Sequence, residues 1–474
     1  MLHYKINIMK KILITIISLL TVYTYAQSGH LMSGVGSINS SMGGASTGQP
    51  IDISGAIYWN PAAISVFDEK IINLDFGLFY ASPELSSELP ENMFFPGSPA
   101  VKGTTADEKS VSPLPSAAIL WGKPDSKFTY AFSLFGVSGF GVDFPQETNL
   151  PVDGSGNPNS QWDPNNTNVI TYPQNMNGFG QIKSNYMLMQ IGLTLAYNLS
   201  ENFSIGLSPT FNYAALEITP NPTTTPDMSK GYPVGNTASA TGIGGQIGLF
   251  YDSKKGLKAG LSYKTKQNLS ALEFDNVYLD GSDAPDNKFD MDFPAIFSVG
   301  AGYSNENFDL ALDYRMVDYE NTAGFAEKGW VIGDNGYPTG AVKGFGWKNM
   351  TIISVGIQYK GIAKLPLRLG YTHNTNPIED ELAFFSVSAP GVITDAFQLG
   401  LTYKASKKFN INAMYHHGMS KEKTEGTLMS PIPDGFGGPW NAQNNPLGII
   451  PGTKVGYEMT TDLIMLGITY RFIK

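Results

Sequence analysis

The stretch Leu463-Ile464-Met465-Leu466-Gly467-Ile468-Thr469-Tyr470-Arg471-Phe472 decides the fold. Ile464, Leu466, Ile468, Tyr470 and Phe472 share one phase, while Met465, Gly467, Thr469 and Arg471 share the other. A period of two marks a strand with unlike faces. The first strand-like segment is built the same way: Ile72, Leu74, Phe76, Leu78 and Tyr80 oppose Asn73, Asp75, Gly77 and Phe79. Between these ends the pattern recurs near 116–121, 128–135, 186–197, 202–213, 241–251, 257–266, 295–303, 307–316, 350–359, 365–373, 396–403 and 408–417. With 71–80 and 462–472, about fourteen strands are expected.

The connections between these strands alternate long and short. Short turns fall near 122–127, 198–201, 252–256, 304–306, 360–364 and 404–407. Long loops fall near 81–114, 136–185, 214–240, 267–294, 317–349, 374–395 and 418–461. An outer-membrane barrel predicts this layout, with an even strand number, short periplasmic turns and long external loops. A soluble sandwich has no reason to collect its long loops at one end. Most segments also close on Tyr in the apolar phase, as at Tyr80, Tyr197, Tyr263, Tyr359 and Tyr470, and Trp121 fills that place in the second. Since neighbouring strands run oppositely, these rings form two belts. Tyr suits a membrane interface because its ring is apolar and its hydroxyl is wet.

Closure follows from the solvent. Hydrocarbon offers no hydrogen bonds, so each backbone group must find one inside the protein, and a sheet does this only by closing on itself. The expected class is therefore all-β, a transmembrane antiparallel β-barrel occupying residues 71–474. Composition agrees. Charged residues are 15% of the 474-residue chain, below the usual quarter, and Gly (52), Phe (27) and Tyr (24) are plentiful. Mean hydropathy is only −0.11. The net charge of −10 argues against a nucleic-acid partner, which wants a basic face. Cys is absent, which excludes disulfides, thiol nucleophiles and Cys-based zinc sites.

The N-terminus reads as a secretion leader over residues 1–26. Lys10-Lys11 precede the apolar run Ile12–Val22, and Thr24-Tyr25-Ala26 offers a cleavage site. Residues 27–70 do not alternate cleanly and are dense in small residues, including Gly43, Gly44, Asp52, Asn60, Pro61 and Ala62. Such a segment makes no core of its own, and beside a barrel its natural place is the lumen, as a plug. The second phase of each strand would then face the lumen. Its charges, Asp75, Lys258, Asp309, Asp313, Arg315, Arg368 and Arg471, are expected to form interior ion pairs.

Signals for chemistry are weak. The run Asp280, Asp283, Asp286, Asp290 and Asp292 lacks EF-hand spacing and reads as a solvated loop. The five His residues show no metal-ligand spacing, and no nucleophile elbow is present. Gly242-Ile243-Gly244-Gly245 is strand glycine, with no helix after it to hold phosphate. No metal, cofactor or enzymatic activity is expected.

The run "MGGASTGQPIDISGAIYWNPAAIS" (42–65) resembles the FadL/TodX family of outer-membrane transporters of hydrophobic compounds. The likeness continues in "GFGVDFP" (139–145), "MDFPAIFSVGAGY" (291–303), "WKNMTIISVGIQY" (347–359) and "LPLRLGYTHNTNPIED" (365–380). It implies that residues 27–70 form a hatch, with Asn60, Pro61, Ala62, Gly43 and Gly44 along the substrate path. It also implies an inward kink in the third strand, near Gly136, Gly139 or Gly141, through which an apolar solute leaves sideways into the membrane. The expected activity is passive uptake of long-chain fatty acids or similar compounds such as aromatic hydrocarbons, by a monomer in contact with outer-membrane lipid and with both termini periplasmic. A general porin for small hydrophilic solutes and a structural or adhesive barrel are the alternatives. Loops 214–240 and 267–294, where the family captures substrate, are polar and rich in Pro or Asp here.

Overall fold

The computed structural model describes residues 29–93, 96–109 and 111–472. The expected leader, residues 1–26, and the terminal Ile473-Lys474 lie outside them. Fourteen strands form one closed antiparallel wall. In chain order they are β1 (Lys70–Leu89), β2 (Ser112–Trp121), β3 (Phe128–Phe144), β4 (Ile182–Asn198), β5 (Phe203–Thr219), β6 (Ala238–Asp252) and β7 (Leu257–Lys264). They continue with β8 (Ala295–Ser304), β9 (Phe308–Asp318), β10 (Met350–Tyr359), β11 (Leu367–Asn374), β12 (Asp395–Lys404), β13 (Phe409–Met419) and β14 (Lys454–Arg471). Each pairs with the next, and β14 pairs with β1 from Ile71↔Arg471 to Glu88↔Lys454, which closes the ring.

The two phases separate as the alternation requires. Leu74, Phe76, Leu78, Ile464, Leu466 and Ile468 point outward and are exposed, whereas Asn73, Asp75, Met465 and Thr469 point inward and are buried. Tyr80, Trp121, Tyr263, Tyr359 and Tyr470 are exposed on the outward face.

Several strands run further than the alternation of large apolar residues indicates, and three do so most. β1 continues past 80 to Leu89, β3 past 135 to Phe144, and β14 begins at Lys454 rather than near 462. For β1 and β14 the reason lies in the outward phase. After Tyr80 it becomes Ser82, Glu84, Ser86 and Glu88; before Ile464 it reads Glu458, Thr460 and Asp462. Backbone pairing goes on above the apolar band, where water is the outer solvent. There β1 also pairs with an arm at 101–106, and β14 with an arm at 424–426.

Inside the ring lies the segment 29–69. It contains α1 (Gly36–Ser40), α2 (Ile53–Trp59) and a 3₁₀ turn at Pro61–Val66. Asp52 caps α2 by accepting from the N–H groups of Ser54 and Gly55, and Asn60 caps the 3₁₀ turn by accepting from Ala62 N–H. From 29 to 63 nearly every residue is buried, so the barrel has a packed filling and no open lumen at this level.

Leu466 sits midway along the apolar band and is 61% exposed to the outside. Leu466→Arg is expected to destabilise the inserted barrel by about 2–4 kcal/mol, as for other midplane charges on a lipid face. Reversible urea unfolding in bilayers measures it, with Leu466→Ala as the control.

Candidate substrate path

Among the described residues, the wall is interrupted between β2 and β3. Their ladder runs from Trp121↔Tyr130 up to Ser116↔Phe135 and stops there. Above it, residues 112–115 of β2 still pair with β1, and residues 136–144 of β3 still pair with β4. Two local features account for the separation. Pro113 and Pro115 have no N–H to offer a neighbouring strand. On β3 a bulge shifts the register to β4 between Gly136 and Ser138, and a bulge bends the strand that carries it.

Beyond the bulge β3 is bonded to the filling of the barrel instead of to β2. Met32 N–H donates to Val137 O at 3.1 Å, and Gly139 N–H donates to His30 O at 3.1 Å. The Ser138 hydroxyl also donates to His30 O, at 2.9 Å. Residues 30–32 thus stand in for the missing neighbour. In the gap sits the Leu114 side chain, and a Cβ on Gly136 would lie 2.9 Å from its Cδ1. Gly136, Gly139 and Gly141 all lie on β3 and pair with β4; none is in the loop after it.

The other residues singled out by sequence lie deeper in the hatch and tie it to the wall. Asn60 Nδ2 donates to Thr47 O (2.9 Å) within the hatch and to Leu249 O (3.0 Å) on β6. Pro61 and Ala62 press against Gly206 and Gly248 of β5 and β6, where a Cβ would meet their backbone or ring atoms. Gly43 O accepts from the Thr372 hydroxyl at 3.0 Å. Gly44 has φ +75°, and a Cβ there would fall 1.6 Å from Ser33 O, so only glycine fits.

Lumen charges hold the hatch from the other side. Asp313 accepts from the N–H groups of Ser46 and Thr47 (both 2.8 Å) and pairs with Arg315 (2.6 Å), which also donates to Gly44 O at 2.7 Å. Asp75 accepts from Ser37 N–H at 2.9 Å. Arg368 donates to the Ser41 hydroxyl at 2.7 Å. The Asp309–Lys360 pair (2.9 Å) and the Arg471–Glu69 pair belong to the wall and its lower rim. Interior ion pairing is thus only part of what these charges do, because several grip the backbone of the hatch. Burial and the neighbouring Asp75 raise the Asp52 carboxyl to about 7.

Just inside the gap lies a set of rings. His30 stacks on Phe325 (4.6 Å, 24°) and lies within about 6 Å of Tyr186, Phe293, Tyr319 and Trp347. Its Nδ1 bonds to Tyr319 Oη at 2.7 Å, and burial lowers the imidazole to about 3, so the ring is neutral. Phe140 of the bent strand stacks on Tyr186 at 5.0 Å and meets Phe345 edge-on. Sequence patterning does not reveal this cluster, since Phe325, Phe345 and Trp347 come from a long loop and His30 from the hatch. The one local signal is the density of aromatics between 325 and 347.

The long loops fold into a cap with its own small core of Trp330, Leu382, Phe385, Met429 and Trp440. Beside it is a recess of about 50 Å³ lined by Phe179, Pro220, Pro222, Tyr232, Trp330 and Phe384. Polar as it reads, loop 214–240 contributes two prolines and a tyrosine to this apolar surface. Three of the carboxylates of 280–292 are taken up by nearby loop groups: Asp280 accepts from Ser282, Asp286 from Asn276 N–H, and Asp292 from Leu269 N–H.

A family model described as "Outer membrane protein transport protein (OMPP1/FadL/TodX)" matches residues 171–438. No curated protein matches the sequence. Among solved structures the fold is similar to that of the toluene transporter TodX of P. putida, at 14% identity, 93% of this chain, 99% of that one and TM-score 0.60. A Pseudomonas aeruginosa FadL homologue aligns at 13% identity, 94% and 100% coverage and TM-score 0.66. The Ralstonia pickettii toluene transporter TbuX aligns at 15% identity, 93% and 99% coverage and TM-score 0.56.

The Asp313 carboxylate is the hinge of the hatch attachment. Asp313→Asn leaves Arg315 buried without its counter-ion, an arrangement that costs about 3–5 kcal/mol. Hydrogen exchange at the amides of Ser46 and Thr47 should accelerate while the strand amides of β13 and β14 stay protected. Unchanged exchange at 46 and 47 would show that the hatch is held by other contacts.

Proposed function

The chain belongs to the outer membrane transport protein family OMPP1/FadL/TodX, and on that premise we propose that it lets hydrophobic compounds cross the outer membrane passively, leaving sideways between β2 and β3. The observation that supports this reading is the pairing of a filled lumen with an unpaired stretch of wall beside it. A solute that reaches the ring cluster around His30 has the gap next to it and the packed hatch beneath it.

The energetics favour the sideways route. Each CH₂ returned to hydrocarbon gains about 0.8 kcal/mol, so a water-filled exit would oppose the movement. No energy source is required if the solute moves down its own gradient. In this reading the long loops face outward, both termini are periplasmic, and the recess at Phe179, Tyr232 and Trp330 is where a solute first leaves water. That recess must widen to hold one, because even benzene needs a cavity of about 150 Å³. His30-Leu31-Met32 would shift as the solute passes, since they close the inner side of the gap. Asn60, Pro61, Ala62, Gly43 and Gly44 serve as the fixed base against which that shift occurs.

Fatty acids and aromatic hydrocarbons are the two substrate classes. The ring cluster, with its imidazole kept neutral, favours uncharged aromatic compounds, the class to which the toluene carried by TodX and TbuX belongs. Edge-on and offset stacking would hold such a ring by about 0.5–1.5 kcal/mol per contact, weakly enough to release it.

Uptake of toluene and of a long-chain fatty acid into cells lacking their own hydrophobe channels tests the reading. Leu114→Trp, which fills the gap, should lower uptake about tenfold, the equivalent of 1.4 kcal/mol on the barrier. The folded barrel should still appear at the wild-type level. Stable ion conductance in planar bilayers, with no hydrophobe uptake, would instead establish a hydrophilic pore.

A further inference from the structure

The gap has an upper edge as well as a lower one. Between the arm at 101–106 and β2 the chain departs from β1. Asp107 N–H still donates to Pro83 O of β1 at 3.1 Å. One residue later, Glu108 N–H donates to Asp143 O of β3 at 2.8 Å. The Asp107 carboxylate accepts from Asp143 N–H at 2.5 Å. The chain has therefore crossed from one side of the gap to the other within two residues.

Lys109 carries the crossing further. Its side chain passes over Gly141 of β3 and ends on β4, where Nζ donates to Ser184 O at 3.2 Å and to Asn185 Oδ1 at 3.0 Å. Gly141 makes room for it: a Cβ there would lie 1.6 Å from Lys109 Nζ and 2.9 Å from its Cε, and also 2.6 Å from the Ser184 carbonyl oxygen of β4. Around the ammonium stand Asp107, Asp143, Glu217 and Lys183, the last two paired with each other at 2.8 Å. The edge is thus charged, whereas the flank below it is Leu114, Val137 and Met32.

We propose that Asp107–Lys109 is a clasp that fixes the height of the side gap, and that Lys109 determines how bulky a compound can pass beneath it. The proposal rests on the lateral-exit reading above. The bent half of β3 has no ladder to β2, so on that side its position depends on the clasp above and on residues 30–32 behind. A lysine is suited to such an edge. Its long stem spans the strand, and its compact charge, bonded to Ser184 O and Asn185 Oδ1, gives an apolar solute no surface to slide over. Because the clasp is held by few bonds near the surface, it opens locally at little cost to the barrel.

The chain has no cysteine, so Val137→Cys provides a single reporter thiol in the gap. The full chain in liposomes is treated with bilayer-dissolved maleimides, one slender (N-ethyl) and one bulky (N-pyrenyl). With Lys109 in place the bulky reagent should lag the slender one by about tenfold more than it does toward a free thiol in the same lipid. Lys109→Ala should remove most of that excess, because the loss of one or two charge-assisted bonds is worth about tenfold. Gly141→Ala, which must displace Nζ and also presses on Ser184 O, should lower discrimination at least as far. Lys109→Arg should restore discrimination. A size ratio that is the same in all these variants, with barrels folded by heat-modifiable gel mobility, overturns the clasp. Lys109→Met serves if Lys109→Ala fails to fold. The labelling needs no transport, so a chain that carried no hydrophobe would refute the transport reading and would still report on the clasp.

Discussion

Every part of this molecule answers to one constraint: a backbone N–H or C=O in hydrocarbon must be bonded within the protein. The wall meets it by closing β14 onto β1 over their full paired length. The constraint then makes the break between β2 and β3 informative. Strand groups freed there cannot be left to lipid. On the β3 side they are taken by His30 and Met32 from within and by Glu108 and Asp107 from above. On the β2 side prolines remove two of the donors altogether. A hole in a barrel is possible only where such substitutes are available, which ties its location to the hatch.

The hatch in turn depends on the polar phase of the strands. A segment of small residues has too little apolar surface to fold alone, and its helices are only five and seven residues long. It is positioned by groups that the barrel directs inward: Asp313 and Arg315 on β9, Asp75 on β1, Arg368 on β11. Two of its aromatics are used the same way, with Arg315 lying 3.6 Å from the Trp59 ring centre and Lys264 3.5 Å from that of Tyr58. The lumen thus grips the insert with polar groups, while the rings nearest the gap lie at the level of His30.

Sequence and structure agree most closely where the physics is local and periodic. All fourteen strands are legible, because a lipid face and a lumen face impose opposite demands on alternate residues. The edges expected at 116 on β2 and 135 on β3 coincide with the last pair of the two-sided ladder, Ser116↔Phe135. Alternation of large outward side chains ends where the wall ends, although the backbone stays extended to Phe144. The resemblance implies a kink near Gly136, Gly139 or Gly141; that a bulge falls between Gly136 and Ser138 is a matter of register with β4, which one strand does not encode. The ring cluster and the crossing of Lys109 over Gly141 join residues far apart in the chain. No period carries them, and they emerge only when the loops are folded.

The two prolines of β2 have a consequence beyond the opening itself. An extended strand with a free edge is a template: it will zip to its neighbour, or to the edge of another chain, and such pairing is the usual route to aggregates. Were residues 113 and 115 ordinary donors, β2 and β3 would tend to complete their ladder, and the barrel would seal. During assembly, when many barrels are only partly closed, the same edge could recruit a foreign strand. Pro113 and Pro115 make β2 a poor partner in both events. The opening is therefore kept by an edge that refuses to pair, a property set before the barrel reaches the membrane.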